Sequence, residues 1–315
     1  MQDSNLQEQK PKAHSKKDKK MAKRIYIYLS EMFPPLHFIG TYLFTIIIAA
    51  AVCSIQGSPD FIKNPYVHMA AFSVVLMSLM VRIMDEFKDY EDDLVNFPDR
   101  PLPSGRVRKQ DLKVLQTIVI STILLLSIYR VDVFIATLCV LAYGLLMYKW
   151  FFIEEKMRKS LPLAFLSHNP VILVKFGFIC TVLNSQGYVD SMTSTLIGLP
   201  LMLTMTNWEL SRKLRSPEDE TDYTTYSKIW GPKNAAKASL FIQSLVFAGV
   251  TSFLVAYGHS KVIIGLYTVV AGYYASIYIR FIQTLKHTRT FKIHAENLAL
   301  ATQLTVLISS IVKLS

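Results

Sequence analysis

From residue 36 to the end of the chain, long apolar runs alternate with short polar stretches. Nine runs are long enough for a helix to cross the hydrocarbon core of a bilayer: about 36–56, 65–84, 111–129, 132–152, 161–181, 191–211, 238–257, 261–283 and 294–313. The Pro34-Pro35 pair suits the beginning of the first helix, and Gly57, Ser58 and Pro59 suit the turn after it. The link around Arg130 to Asp132 is so short that the third and fourth helices must be antiparallel neighbours. The pattern predicts an all-α membrane protein with nine transmembrane helices. With 51% hydrophobic residues and a positive mean hydropathy, soluble two-domain readings are set aside.

Residues 1–24 differ in kind. They carry eight Lys or Arg against three acids and almost nothing apolar, so they read as a disordered, basic, cytoplasmic tail with lysines suited to anionic lipid. The tail is too polar for a signal peptide, and the first apolar run is too long for a cleavable segment. With the tail inside, the outer loops hold only Lys63, Arg130 and Lys261, and Lys313 marks the outer C-terminal end. The inner loops hold Arg100, Arg106, Arg108 and Lys109, then Lys149, Lys156, Arg158 and Lys159, then Arg212, Lys213, Arg215, Lys228 and Lys233, then Arg280, Lys286, Arg289 and Lys292. This bias sets the orientation in a cell membrane, with the C-terminus on the far side. It also accounts for the net charge of +11 without a nucleic-acid partner. Cys53, Cys139 and Cys180 all fall in apolar runs without CxxC and read as small buried hydrophobes.

The chemistry begins where the second run ends, at RIMDEFKDYEDDLVNFPDRPLPSGRVR, residues 82–108. Asp85, Asp89 and Asp93 recur every four residues, which places them in one stripe on a helix. Like charges that close require a cation, and Mg²⁺ takes one or two carboxylates and completes its shell with water and phosphate oxygens. Arg100 and Arg106 follow and suit phosphate oxygens. Carboxylates for metal, arginines for phosphate and a bilayer beneath suggest a lipid diphosphate. A solvated charged loop is the plainer alternative, but the ordered spacing against a membrane segment argues for a site.

The DxxxDxxxD of Asp85, Asp89 and Asp93, followed by RPLPSG at Arg100 to Gly105, resembles the first signature of the UbiA superfamily of intramembrane prenyltransferases. That resemblance implies nine helices around a central cavity, capped by polar loops at about 85–110 and 212–237. It implies a Mg²⁺-dependent transfer of a prenyl group from an isoprenyl diphosphate to an aromatic, quinone-precursor or other acceptor. Tyr143 and Tyr148 before Lys149 are similar to the family's Tyr-then-basic element, which implies that Lys149 faces phosphate.

In the family a second DxxxDxxxD follows the sixth helix. Here the stretch NWELSRKLRSPEDETDYTTYSKIWG, 207–231, keeps the position and departs in detail. In one reading Glu209, Asp219 and Asp222 complete the metal shell with Asn207; in another, Arg212 and Arg215 bind the diphosphate directly. Pro217 suits the start of a short helix. Asn207 and Ser211 also match part of the metal triad of soluble terpene synthases, although Arg215 stands where that triad has Glu. This departure keeps a membrane terpene cyclase, acting without an acceptor, as an alternative. A transporter is a more distant one, because the acids cluster at a mouth and not at the midplane. Lys175 sits mid-helix after His168, Asn169 and Pro170; it can touch the diphosphate, pair with a carboxylate, or snorkel. His168 reads as a packing residue. Tyr223, Tyr226, Trp230, Tyr267, Tyr273, Tyr274 and Tyr278 are candidates to line a prenyl tunnel and read more readily as packing or interfacial rings.

Overall fold

The computed structural model describes residues 20–188, 191–220, 225–286 and 291–315, and for 191–197 the backbone alone. The described residues form helices and turns, with no strand. In chain order the helices are α1 (Met21–Met32), α2 (Pro35–Gln56), α3 (Pro65–Lys88), α4 (Tyr90–Asn96), α5 (Lys109–Ser127), α6 (Val131–Tyr148), α7 (Glu154–Lys159), α8 (Leu161–His168), α9 (Val171–Ser185), α10 (Ser191–Arg212), α11 (Tyr226–Trp230), α12 (Pro232–Ala256), α13 (Lys261–Thr284) and α14 (Phe291–Leu314).

Among the described residues, eight segments are long and apolar enough to cross a membrane, with Leu161–Ser185 running through α8 and α9 as one. The expected span at 191–211 coincides with α10, which is not one of those eight. The long helices close into a ring. Each of α2, α3, α5, α6, α9, α10, α12, α13 and α14 packs on the next, and α14 returns to α2. Where α10 meets α12, a Cβ on Gly249 would lie 2.3 Å from Pro200 Cγ, so only glycine permits this approach.

Several expected boundaries move for identifiable reasons. The fourth span, expected to reach 152, stops at Tyr148, because Trp150, Phe151 and Phe152 all take positive φ and turn the chain out of the helix. The seventh begins at Pro232 instead of 238, since proline is well placed in a first turn and Gly231 at φ 79° releases the chain before it. The cap loop expected at 212–237 is thereby shortened and contains α11, and Pro217 opens only a 3₁₀ turn, Pro217–Asp219. The fifth expected helix is interrupted at Asn169-Pro170 and continues to Ser185.

Residues 1–19 of the basic tail lie outside the described residues, while 21–24 form the first turn of α1, a helix that the hydropathy pattern does not predict. This helix is amphipathic: Tyr28 is fully buried and Ile25, Leu29 and Met32 pack on the core beside it. It is fastened by a bidentate Arg24–Asp111 pair at 2.7 Å and by Glu31 paired with Arg106.

Candidate active site at the polar mouth of the bundle

Asp85 lies in the last turn of α3 and Asp93 within α4, with Asp89 between the two helices. Asp89 leaves ideal helical geometry (φ −99°, ψ 12°), yet the hydrogen-bond ladder runs through it: Asp89 N donates to Asp85 O at 2.9 Å and Asp93 N to Asp89 O at 2.8 Å. The four-residue stripe therefore survives a bend. Its carboxylates have different partners. Asp85 accepts from Lys88 at 3.0 Å. Asp93 is buried and takes Arg100 Nη1 on both oxygens at 2.7 Å, with the guanidinium stacked 3.9 Å from the Phe97 ring centre. Asp89 enters no ion pair among the described residues. Burial pushes it up to about 6, against the pull of Lys88 and reinforced by Asp85, Asp93 and Asp92.

The RPLPSG turn explains how Arg100 reaches back. Ser104 N donates to Arg100 O at 3.0 Å and Val107 N to Pro101 O at 2.9 Å, closing a compact turn that buries Leu102. Gly105 supplies the φ of 70° the turn requires. Arg106 leaves this turn in another direction. It reaches the Asp99 carbonyl at 2.7 Å and Glu31 of α1, whose carboxyl it holds below the ordinary range, so it braces the loop against α1 and not against the stripe.

Lys88, not singled out from sequence, joins the stripe to α8 and to the turn after α6. Its ammonium pairs with Asp85, donates to His168 Nε2 at 3.3 Å and lies 4.7 Å from the Trp150 ring centre. His168 Nδ1 faces the Ala164 carbonyl at 2.9 Å, which leaves Nε2 as the acceptor. The signal was present, since Lys88 stands inside the acidic motif at i+3 from Asp85. Across the mouth, Glu209 lies within electrostatic reach of the same His168 ring. That long-range charge is what links the two polar stretches.

Within the second stretch the named residues separate by face. Glu209 is held by Arg212 at 2.5 and 2.8 Å and by Lys213 at 3.3 Å. Asn207 and Ser211 point elsewhere. Ser211 Oγ bonds the Tyr278 hydroxyl at 2.7 Å, and Asn207 lines a cavity of about 10 Å³ with Thr204 and Gln243 between α10, α12 and α14. Arg215 Nη1 donates to the carbonyls of Arg212 and Leu214 at 3.1 and 3.0 Å, capping the end of α10. Asp219 accepts from Ser216 Oγ at 2.8 Å, and Asp222, like Tyr223, lies outside the described residues. Lys149 is exposed, 5.3 Å from the Tyr148 ring centre. Lys175 donates to Ser78 Oγ at 3.0 Å, deeper in the bundle. Tyr226, Tyr267 and Tyr278 are buried packing rings, and Tyr226 stacks on Trp230 at 5.0 Å.

Among the described residues no three carboxylate, His or Cys side chains already converge as a metal cage. The donor set nevertheless fits Mg²⁺, which needs only one or two carboxylates and shares phosphate oxygens. Asp89 is partly buried, surrounded by like charges and without an ion pair among the described residues, so a cation is the partner its surroundings favour.

The sequence profile of the UbiA prenyltransferase family matches residues 42–300, and the chain belongs to that family. Two solved structures share its fold. One, from work on the biosynthesis of digeranylgeranylglyceryl phosphate synthase in membranes, aligns with a TM-score of 0.59 at 16% identity, covering 92% of this chain and 99% of its own. The other, an apo UbiA homologue from Aeropyrum pernix K1, aligns with a TM-score of 0.60 at 15% identity, covering 85% and 96%. No curated protein sequence matches significantly. The protein is thus a multi-pass integral membrane protein of the prenyltransferase type.

Proposed function

We propose that the protein transfers a prenyl group from an isoprenyl diphosphate to an acceptor, in a Mg²⁺-dependent reaction at the mouth formed by the two polar stretches. The observation that carries this reading is the Asp85–Asp89–Asp93 stripe, kept in register by its own backbone ladder and paired with Lys88 and Arg100. Asp85, Asp89 and Asp93 would hold the metal, while Glu209 stays paired with Arg212 and Lys213. When bound, Mg²⁺ supplies neutralisation of the diphosphate as it becomes a leaving group. Arg100 and Lys88, which pair with Asp93 and Asp85 in the metal-free protein, would offer N–H donors to phosphate oxygens. Trp150 presents a ring at the same place, and an aromatic face steadies a nearby cation by about 0.5–2 kcal/mol. The C1–O bond breaks with its electron pair going to diphosphate, the acceptor bonds to C1, and the proton it loses is taken up by the released diphosphate. The Lys/Arg-rich mouth faces the cytoplasm.

The test is incubation of the purified protein with Mg²⁺ and a series of prenyl diphosphates, with and without candidate acceptors, following diphosphate release and organic products together. Release that requires an acceptor, and is lost in Asp89→Ala, is the expected result. Cyclic products without an acceptor would move the assignment to a terpene cyclase. Unchanged turnover in both Asp89→Ala and Asp93→Ala, with metal still required, would refute the metal site.

A further inference from the structure

The turn that leaves α6 takes an unusual path. Trp150, Phe151 and Phe152 lie at φ 51°, 50° and 60°, three bulky residues in succession in the left-handed region. There the Cβ crowds the following carbonyl oxygen. Backbone of this kind persists where its surroundings over-determine it, and it is a pointer to function. Two of the three rings are held. Phe151 lies against Tyr143 and His168, with ring centres 5.6 and 5.9 Å away, and Tyr143 donates to the Ser167 carbonyl at 2.7 Å. Trp150 and His168 meet edge to face at 6.0 Å. Phe152 is exposed.

Two cations also lie against the Trp150 ring, and each leads to a different part of the acidic stretch. Lys88 Nζ stands 4.7 Å from the ring centre and pairs with Asp85 on α3. Arg158 Cζ of α7 stands 4.9 Å from it. Arg158 Nη1 donates to Asp92 of α4 at 2.6 Å, and Arg158 Nε to Glu154 at 2.8 Å. Asp89, where the backbone leaves helical geometry, falls between these two anchor points. Helix α4 has only seven residues, and a helix so short does not hold its own direction. The Arg158–Asp92 pair ties it to another part of the chain.

We propose that Trp150 is a positioning residue: through Lys88 and Arg158 its ring clamps α3 and α4 on either side of the bend at Asp89, and so sets the spacing of the carboxylates for the cation. The left-handed turn serves this clamp, because it takes Trp150 out of the line of α6 and sets it beside the stripe. The role in spacing the carboxylates rests on the metal-site reading of that stripe; the clamp itself does not.

Two readouts test it, both on the detergent-solubilised full chain. The first is Mn²⁺ affinity with a prenyl thiolodiphosphate present, followed by the free Mn²⁺ signal in electron paramagnetic resonance. Trp150→Leu and Arg158→Gln should each weaken Mn²⁺ binding by about tenfold, the scale of one cation–ring contact, and Trp150→Phe should stay within about threefold of wild type. The double variant of Trp150→Leu and Arg158→Gln should be no weaker than about twofold below the worse single one, since both cut the same clamp. A tryptophan that only fills space would lower the unfolding temperature and leave the two losses multiplying. The second readout needs no change at Trp150. With Trp208→Phe and Trp230→Phe it is the remaining tryptophan of three. In that metal-free protein Lys88→Met and Arg158→Gln should each shift its emission maximum, since each takes a charge from the ring. Multiplying losses overturn the proposal, as does an emission maximum indifferent to both substitutions. Emission that responds to both, in a protein that binds no Mn²⁺, would keep the clamp and defeat the metal reading.

Discussion

The two polar stretches share a design at the level of sequence: each follows an apolar helix, and each sets polar groups four residues apart. In the folded chain they behave differently. Asp85, Asp89 and Asp93 hold one register through a bend, and the middle carboxylate has no ion pair among the described residues. In the stretch after α10 the four-residue rows diverge. Glu209 is neutralised by Arg212 and Lys213, while Asn207 and Ser211 lie on another face and join the packing against Tyr278 and Gln243. Spacing fixes which residues share a helix face; it does not fix where that face points. Under the proposed function the stripe serves metal chemistry and much of the other stretch serves structure and charge balance.

The largest expected effect tests that division. Asp89→Ala should lower turnover at least about a thousandfold, while Glu209→Gln, whose charge is already balanced by two cations, should lower it no more than about tenfold. Equal losses in a diphosphate-release assay would erase the distinction between the stretches.

Another experiment separates stability from activity at Asp89. Its carboxyl is pushed up to about 6 by burial, so the folded metal-free protein favours the protonated form. The stability this gives is complete below the unfolded value near 4 and is lost as pH rises through about 6. Asp89→Asn has no charge to bury. With chelator present it should be more stable than wild type at pH 7.5, by on the order of 2–3 kcal/mol, with the difference vanishing toward pH 4. Thermal unfolding across pH checks this, and a pH-independent difference would mean that burial does not raise the Asp89 carboxyl.

Smaller effects are expected in the stretch after α10. Tyr278→Phe removes the partner of buried Ser211 and should destabilise by about 1–3 kcal/mol, leaving turnover of the remaining folded protein within about twofold. A fall in turnover without loss of stability would return Asn207 and Ser211 to the site. Smallest of all, Glu31→Gln breaks a half-exposed pair with Arg106 and should cost less than about 1 kcal/mol in the same unfolding assay.

Much of this molecule is legible along the chain because a bilayer narrows the choices. An apolar run of about 20 residues has to satisfy its backbone internally, so the approximate limits of the long helices follow from hydropathy. The acidic stripe and RPLPSG are equally local: the i to i+4 ladder and a glycine-dependent turn build both from neighbouring residues. Helix α1 escaped because an amphipathic segment of 12 residues carries too weak an apolar signal, and its docking depends on Asp111 and Arg106, both more than 70 residues away. Arg106 itself, read as a phosphate ligand, is drawn to Glu31 by that same helix. Tertiary structure alone decided that Lys88 reaches His168 and that Lys175 meets Ser78 inside the bundle. Both contacts join segments far apart in sequence, and their geometry depends on how the helices are rotated and packed, which no local pattern records.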